Sequence, residues 1–149
     1  MNSLTKVLIV EDNPGDIMLI RDALEDEETI DVIDVTTNGE QAIRYLKQLG
    51  EFESKSKPNL VILDINLPRV NGHEVLHFIK NNENTKETPV VMLSSSSSDT
   101  DIQASYKKHA NCYITKPVGL DNFTDVIHDI RDFWLNLVKL PDRRYSSHS

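Results

Sequence analysis

The run NLVILD, residues 59–64, sets four apolar side chains in a row, Leu60 to Leu63, between Pro58 and the carboxylate of Asp64. A strand with one wet face alternates apolar and polar residues. A short unbroken apolar run instead fits a central parallel strand covered on both faces. The next segment, INLPRVNG (65–72), is rich in turn formers, with Pro68 and Gly72 as turn and helix-start residues. Beyond it, Val75, Leu76 and Ile79 recur at helical spacing.

The same strand, acid, loop and helix order appears upstream. TKVLIV (5–10) is a second buried-strand run, and it ends in Glu11 and Asp12. Asn13, Pro14 and Asp16 then form an N-cap signal with proline at the first helical position. Ile17, Ile20 and Leu24 continue that helix. DVIDVT (31–36) reads as the next strand, and NGEQAIRYLKQLG (38–50) as a helix with Ala42, Ile43 and Leu46 on one face.

Downstream of the polar loop and the central strand, PVVML (89–93) is a strand ending in Ser94. SDTDIQASYKKHA (98–110) is a helix capped by a serine or by Asp99. CYIT (112–115) is a fifth strand ending in Lys116, and a last helix begins near Leu120.

Five strand-then-helix units predict an α/β fold: a doubly wound, five-stranded parallel sheet with helices on both faces. In such sheets reactive groups gather outside the carboxyl ends of the strands, at a switch point. Glu11, Asp12, Asp64, Ser94 and Lys116 are therefore expected at one end of the molecule.

With 149 residues, 38 % hydrophobic and 27 % charged, the chain has the composition of one globular domain. Apolar runs of four residues are too short to span a membrane, and no signal-peptide pattern opens the sequence, so a cytoplasmic protein is expected. Cys112 is the sole cysteine and reads as core. A net charge of −8 argues against direct nucleic-acid binding, which draws on a basic surface.

Three carboxylates converging from two strand ends repel one another unless a cation sits among them. All-oxygen ligands point to a hard ion. Magnesium fits best; calcium lacks its dedicated loop. A carboxylate can also attack phosphorus to give an aspartyl phosphate. Asp64, alone at the end of the central strand, is the candidate, with Glu11 and Asp12 left to hold metal. Ser94 can donate to a phosphoryl oxygen and Lys116 can neutralise another.

VEDN (10–13), LDINLPRVNG (63–72), VVMLS (90–94) and YITKP (113–117), in this order at four strand ends, resemble the receiver domain of two-component response regulators. The resemblance spans roughly residues 5 to 135, within an expected receiver domain over 1–140 followed by a disordered tail, 141–149. It implies phosphorylation of Asp64 by a histidine kinase with Mg2+, and a signalling role rather than an enzymatic one, apart from slow self-dephosphorylation.

By the same resemblance Asp12 and Asp64 ligate the metal, Glu11 positions its water, and the backbone carbonyl of Asn66 is a further ligand. Ser94 is the switch hydroxyl, Lys116 the phosphate-binding lysine and Tyr113 the aromatic switch. Ser96, two past Ser94, sits where dephosphorylation is tuned. Glu11 and Ser94 stand where many receivers have Asp and Thr, with equivalent oxygen chemistry. Asn111 stands where small or glycine residues are frequent, and asparagine can still take a left-handed backbone there.

A haloacid-dehalogenase-like phosphohydrolase uses similar groups. It needs a second Asp two positions past the nucleophile, where this chain has Asn66, and it carries the nucleophile on the first strand. A phosphate-independent docking receiver is the other alternative, disfavoured because the key residues are all present.

The last helix, 119–141, carries apolar residues over an arc of about 140°, wider than the stripe of about 100° that a core requires. The surplus near Val126 and Phe133 predicts a homodimer through this helix and its extension, with DRRYSSHS (142–149) as a frayed end. Only eight residues follow Pro141, so output by binding is expected. The loop before the third strand and FWLNLVKLP (133–141) look similar to phytochrome-associated response regulators, which would make the donor a phytochrome-type kinase.

Overall fold

A computed structural model describes residues 5–25, 30 and 32–141. Its elements are β1 (Lys6–Val10), α1 (Pro14–Glu25), β2 (Val32–Thr36), α2 (Gly39–Leu46), β3 (Leu60–Leu63), α3 (Gly72–Lys80), β4 (Val90–Ser94), α4 (Asp99–Lys107), β5 (Cys112–Thr115) and α5 (Leu120–Arg131). A 3-10 turn, Gly50–Phe52, precedes β3, and a π-helical turn, Asp132–Leu137, extends α5. The strands form one parallel sheet in the order β2-β1-β3-β4-β5, so the chain reverses its winding at β1. This is the expected doubly wound fold.

The unbroken apolar runs are explained by two cores, one on each face. Leu8, Val10, Val61, Leu63, Val90 and Met92 pack under α2 and α3. Their neighbours in the chain, including Val7, Ile9, Leu60, Ile62, Val91 and Leu93, pack under α1 and α5. Helix starts follow local chemistry. The Asn13 side chain accepts from the Asp16 amide at 3.0 Å, and Asn71 forms a reciprocal capping box with Glu74. Ser98 settles the cap of α4 by accepting from the Asp101 amide at 3.1 Å.

α4 contrasts with the other helices. Ser105 is its only buried residue, and its Oγ donates to the Asp101 carbonyl at 2.9 Å. A helix so thinly anchored in the core is suited to local rearrangement.

Two expectations are corrected. Asn111 is not left-handed; the positive φ falls at His109 (φ 72), which ends the α4 turn. Asn111 instead uses its side chain, Oδ1 accepting from the Val90 amide at 2.8 Å and from Lys80 Nζ at 3.0 Å, and so ties β5 to β4. The last helix is not continuous. Beyond Arg131 it widens, closing with an i to i−5 bond from the Val138 amide to the Phe133 carbonyl at 2.9 Å. A uniform period of 100° per residue therefore does not describe its end. Phe133 (49 % exposed) and Leu137 (70 %) stand out of it. The expected frayed segment 142–149 lies outside the described residues.

Lys6, at the start of β1, is buried. Its Nζ donates to the Ser56 carbonyl at 2.7 Å and lies 3.5 Å from Asp34 Oδ2, fastening the loop before β3 to the sheet. Asp34 also pairs with Lys55 at 3.6 Å and accepts the Tyr45 hydroxyl. Burial pushes the Asp34 carboxyl up, but Tyr45, Lys55 and Lys6 outweigh it and hold it below its ordinary 3.8.

A depressed folded value stabilises above the unfolded pKa and is lost as pH falls through the folded one. Asp34→Asn is therefore expected to cost about 2 kcal/mol at pH 7. The gap to wild type should narrow as pH falls below the ordinary carboxylate value of 3.8, read by chemical denaturation. A gap constant with pH contradicts this account.

Candidate functional site

Sheet register assembles the site. The Glu11 amide donates to the Thr36 carbonyl at 3.1 Å, the Asp64 amide to the Val10 carbonyl at 3.0 Å, and the Lys116 amide to the Ser94 carbonyl at 2.7 Å. Glu11, Asp64 and Lys116 thus each follow directly on the last residue of a strand, at the carboxyl edge of the sheet next to the winding reversal.

Glu11, Asp12 and Asp64 each offer a carboxylate oxygen within 4.8 Å of the others, with Glu11 and Asp64 buried and Asp12 exposed. Burial pushes the Glu11 carboxyl up to about 7, assisted by the Asp64 charge and opposed by Lys116. A buried acid driven this high by desolvation and a like charge marks a place where a cation relieves repulsion. The all-oxygen donor set fits a hard divalent ion such as Mg2+ or Mn2+.

Lys116 Nζ contacts three carboxylates: Glu11 Oε1 at 2.6 Å, Asp16 Oδ2 at 2.9 Å and Asp64 Oδ2 at 3.2 Å. Burial disfavours the ammonium, yet the bonds to Glu11 and Asp16, with the Asp64 charge, hold its pKa above the ordinary lysine range. Asp64 Oδ1 accepts from the Ile65 amide at 2.7 Å, which fixes the carboxylate's orientation. Asn66, two residues on, is exposed.

Ser94 is fully buried, and its Oγ accepts from the Ser96 amide at 3.3 Å, so its hydroxyl is engaged within its own loop. Tyr113 turns toward the same loop, its hydroxyl donating to the Ser96 carbonyl at 2.7 Å. The Ser96 hydroxyl donates to Asp101 Oδ2 at 2.6 Å, and Asp101 Oδ1 lies 3.1 Å from His73 Nε2. Through its amide, carbonyl and hydroxyl, Ser96 links Ser94, Tyr113 and α4. The bond from Ser96, with His73, holds the Asp101 carboxyl below its usual range.

The structure thus gathers Glu11, Asp12, Asp64 and Lys116, and it sets Ser94 and Tyr113 around Ser96 beside them. Sequence reasoning missed Asp16 as a site residue, since a cap signal already accounted for it. His73 and Asp101 were missed too, because only packing of α3 on α4 brings them together. Chemically, the cluster can hold a divalent cation and present an oriented carboxylate, with an ammonium at hand, to an anionic electrophile.

The model of the response regulator receiver domain matches residues 7–128. Response regulator Rcp1 of Synechocystis sp. is 39 % identical over 135 residues, covering 91 % of this chain and 92 % of Rcp1. The probable methanogenesis regulatory protein FilR2 of Methanothrix harundinacea is 38 % identical, covering 91 % of this chain and 86 % of FilR2. Among solved structures, the phosphorylated cyanobacterial phytochrome response regulator RcpA superposes with a TM-score of 0.91 at 41 % identity, covering 94 % of this chain and all of that one (100 %). The Mn2+-bound form of Rcp1 gives 0.89 at 40 % identity, covering 93 % and 99 %. With a family model over most of its length and relatives aligned across nearly all of it, the chain belongs to the response regulator receiver family and is a response regulator of two-component signalling.

Proposed function

We propose that Asp64 accepts a phosphoryl group from a histidine kinase, and that the protein signals by changing the surface around α4 and β5. One observation carries this reading: Asp64 lies 3.2 Å from Lys116 Nζ inside a carboxylate cluster suited to a divalent cation. Asp64 attacks phosphorus; an O–P bond forms as the P–N bond of the donor phosphohistidine breaks, and the electron pair leaves with the imidazole nitrogen, which is protonated by solvent. Lys116 neutralises a phosphoryl oxygen, and the Ser94 hydroxyl turns from its loop to donate to another. Glu11, Asp12, Asp64 and the Asn66 carbonyl would hold Mg2+, which would supply charge to offset the anionic oxygens.

Movement of Ser94 pulls on Ser96, and through it on Tyr113 and Asp101. A local charge thereby biases a lightly packed helix. Ser94→Ala is expected to leave phosphorylation of Asp64 intact while abolishing phosphorylation-dependent NMR shifts at Tyr113 and α4. Ser98→Ala removes the α4 cap and a long 3.4 Å contact from the Ser96 hydroxyl, which keeps its 2.6 Å bond to Asp101, so it is expected to cost about 1 kcal/mol of stability with the shifts retained. Equal effects of the two on the shifts refute this division of roles.

The donor is a protein, and exposed Met18, Val118 and Leu120, close in sequence to Asp16 and Lys116, offer it apolar contact. The likeness to RcpA, a phytochrome response regulator, favours a phytochrome-type kinase. We further propose that the protein works in the cytoplasm as a response regulator without contacting nucleic acid. Among the described residues no helix is long and apolar enough to cross a membrane.

An apolar groove of about 560 Å³ beside the free edge of β5, lined by Cys112, Ile114, Val126, Ile130, Phe133 and Trp134 among others, supports our proposal of a homodimer through α5 and its extension. Light scattering at micromolar concentration is expected to give twice the chain mass, and Phe133→Asp the single mass. A monomer with and without phosphoryl donor rejects the dimer.

The phosphoacceptor reading itself is tested by intact-mass spectrometry after incubation with acetyl phosphate. One added phosphoryl group is expected with Mg2+ and none after EDTA; no gain with Mg2+ overturns the reading.

A further inference from the structure

We propose that Asp16 is a positioning residue that holds the Lys116 ammonium while Asp64 is unmodified, competes with the phosphoryl group for it, and so limits how tightly the site keeps that group. This rests on the phosphoacceptor reading of Asp64. The three acids on Lys116 are not equivalent. Glu11 and Asp64 belong to the group whose oxygens converge within 4.8 Å and are buried, whereas Asp16 stands outside that group with its side chain 28 % exposed. When a cation engages Glu11 and Asp64, Asp16 is the acid left to the ammonium.

Its placement is rigid for a surface acid. It sits in the first turn of α1, its amide bonded to the Asn13 side chain, and its Oδ2 reaches Lys116 Nζ at 2.9 Å across a hundred residues of sequence. A carboxylate in the first turn of a helix is also favourable for the helix itself. That role alone predicts a loss of stability when the charge is removed and no change in anion binding.

The two roles separate on a charge argument. The carboxylate takes up one of the three donors of Lys116 and lowers the positive potential at Asp64. Neutralising it frees the ammonium for an incoming anion and removes one repulsive charge. Anion binding should therefore tighten even as the helix start weakens.

The test is binding of beryllofluoride, a tetrahedral phosphoryl mimic, at saturating Mg2+, by calorimetry on the full chain. Asp16→Asn is expected to bind about three- to tenfold more tightly than wild type and to lose its phosphoryl group correspondingly more slowly. Asp16→Glu is expected to return toward wild type. Asp16→Ser, neutral and compatible with a helix start, should match Asp16→Asn and guards against a folding defect peculiar to one variant. Unchanged or weaker beryllofluoride binding in both neutral variants overturns the proposal while leaving the phosphoacceptor reading intact. If wild type with Mg2+ neither binds beryllofluoride nor gains a phosphoryl group, the reading of Asp64 fails and this inference with it.

Discussion

Asp64→Asn is expected to gain no mass on incubation with acetyl phosphate and Mg2+, where the wild type gains one phosphoryl group. The effect is a complete loss because the amide oxygen of asparagine is neutral and cannot serve as the nucleophile. The fold should survive. The Ile65 amide that donates to Asp64 Oδ1 at 2.7 Å finds an equivalent oxygen in asparagine, and Lys116 keeps Glu11 at 2.6 Å and Asp16 at 2.9 Å. The substitution also relieves one like-charge contact with buried Glu11. Loss of labelling with an unshifted melting temperature therefore isolates chemistry from stability. Persistent labelling of Asp64→Asn shifts the acceptor to another acid, with exposed Asp12 the nearest alternative.

Gly72→Ala is expected to destabilise the fold strongly. A Cβ at Gly72 meets the Asp64 carbonyl oxygen at 2.1 Å, the Ile65 Cα at 2.6 Å and the Asp64 carbonyl carbon at 2.8 Å. All three are backbone atoms of the loop that carries Asp64, so no side-chain rotation relieves the clash. The Gly72 amide also donates to the Ile65 carbonyl at 2.8 Å, which holds the start of α3 against that loop.

Overpacking of this kind costs about 3 kcal/mol or more where the backbone must move, and here it moves Asp64, the proposed nucleophile. Gly72→Ala is expected to lower the denaturation midpoint and slow phosphorylation together. A variant with wild-type stability and rate would show that the loop and α3 can separate freely.

What could be read from the chain was what local physics enforces. The unbroken run Leu60–Leu63 implied a strand buried on both faces, and the two cores meet on it as expected. Asn13 and Pro14 announced the start of α1, and an acid, hydroxyl or lysine at the ends of β1, β3, β4 and β5 predicted the end at which the site lies. The turn signal at Gly72 was equally visible, but its reason was not. Glycine is required there because α3 abuts the Asp64 carbonyl, and a contact between backbones leaves no mark in spacing.

The π-helical turn at Asp132–Leu137 escaped for a related reason: its apolar pattern resembles an ordinary helix until the turns widen. A left-handed backbone was allowed at Asn111 rather than placed at His109 because the turn after α4 is set by where the helix ends.

By itself, then, the sequence determined the parallel doubly wound sheet, the order of its elements and the membership of the cluster Glu11, Asp12, Asp64 and Lys116, because periodicity, caps and strand-end residues are local properties. Only the tertiary structure decided that Lys6 is buried against Asp34, that Asp16 shares Lys116 with the cluster, and that Ser96 joins Ser94, Tyr113 and Asp101. These pairings depend on which helix face meets which strand end. A charged or hydroxyl side chain finds its partner only after packing has excluded the water that otherwise satisfies it.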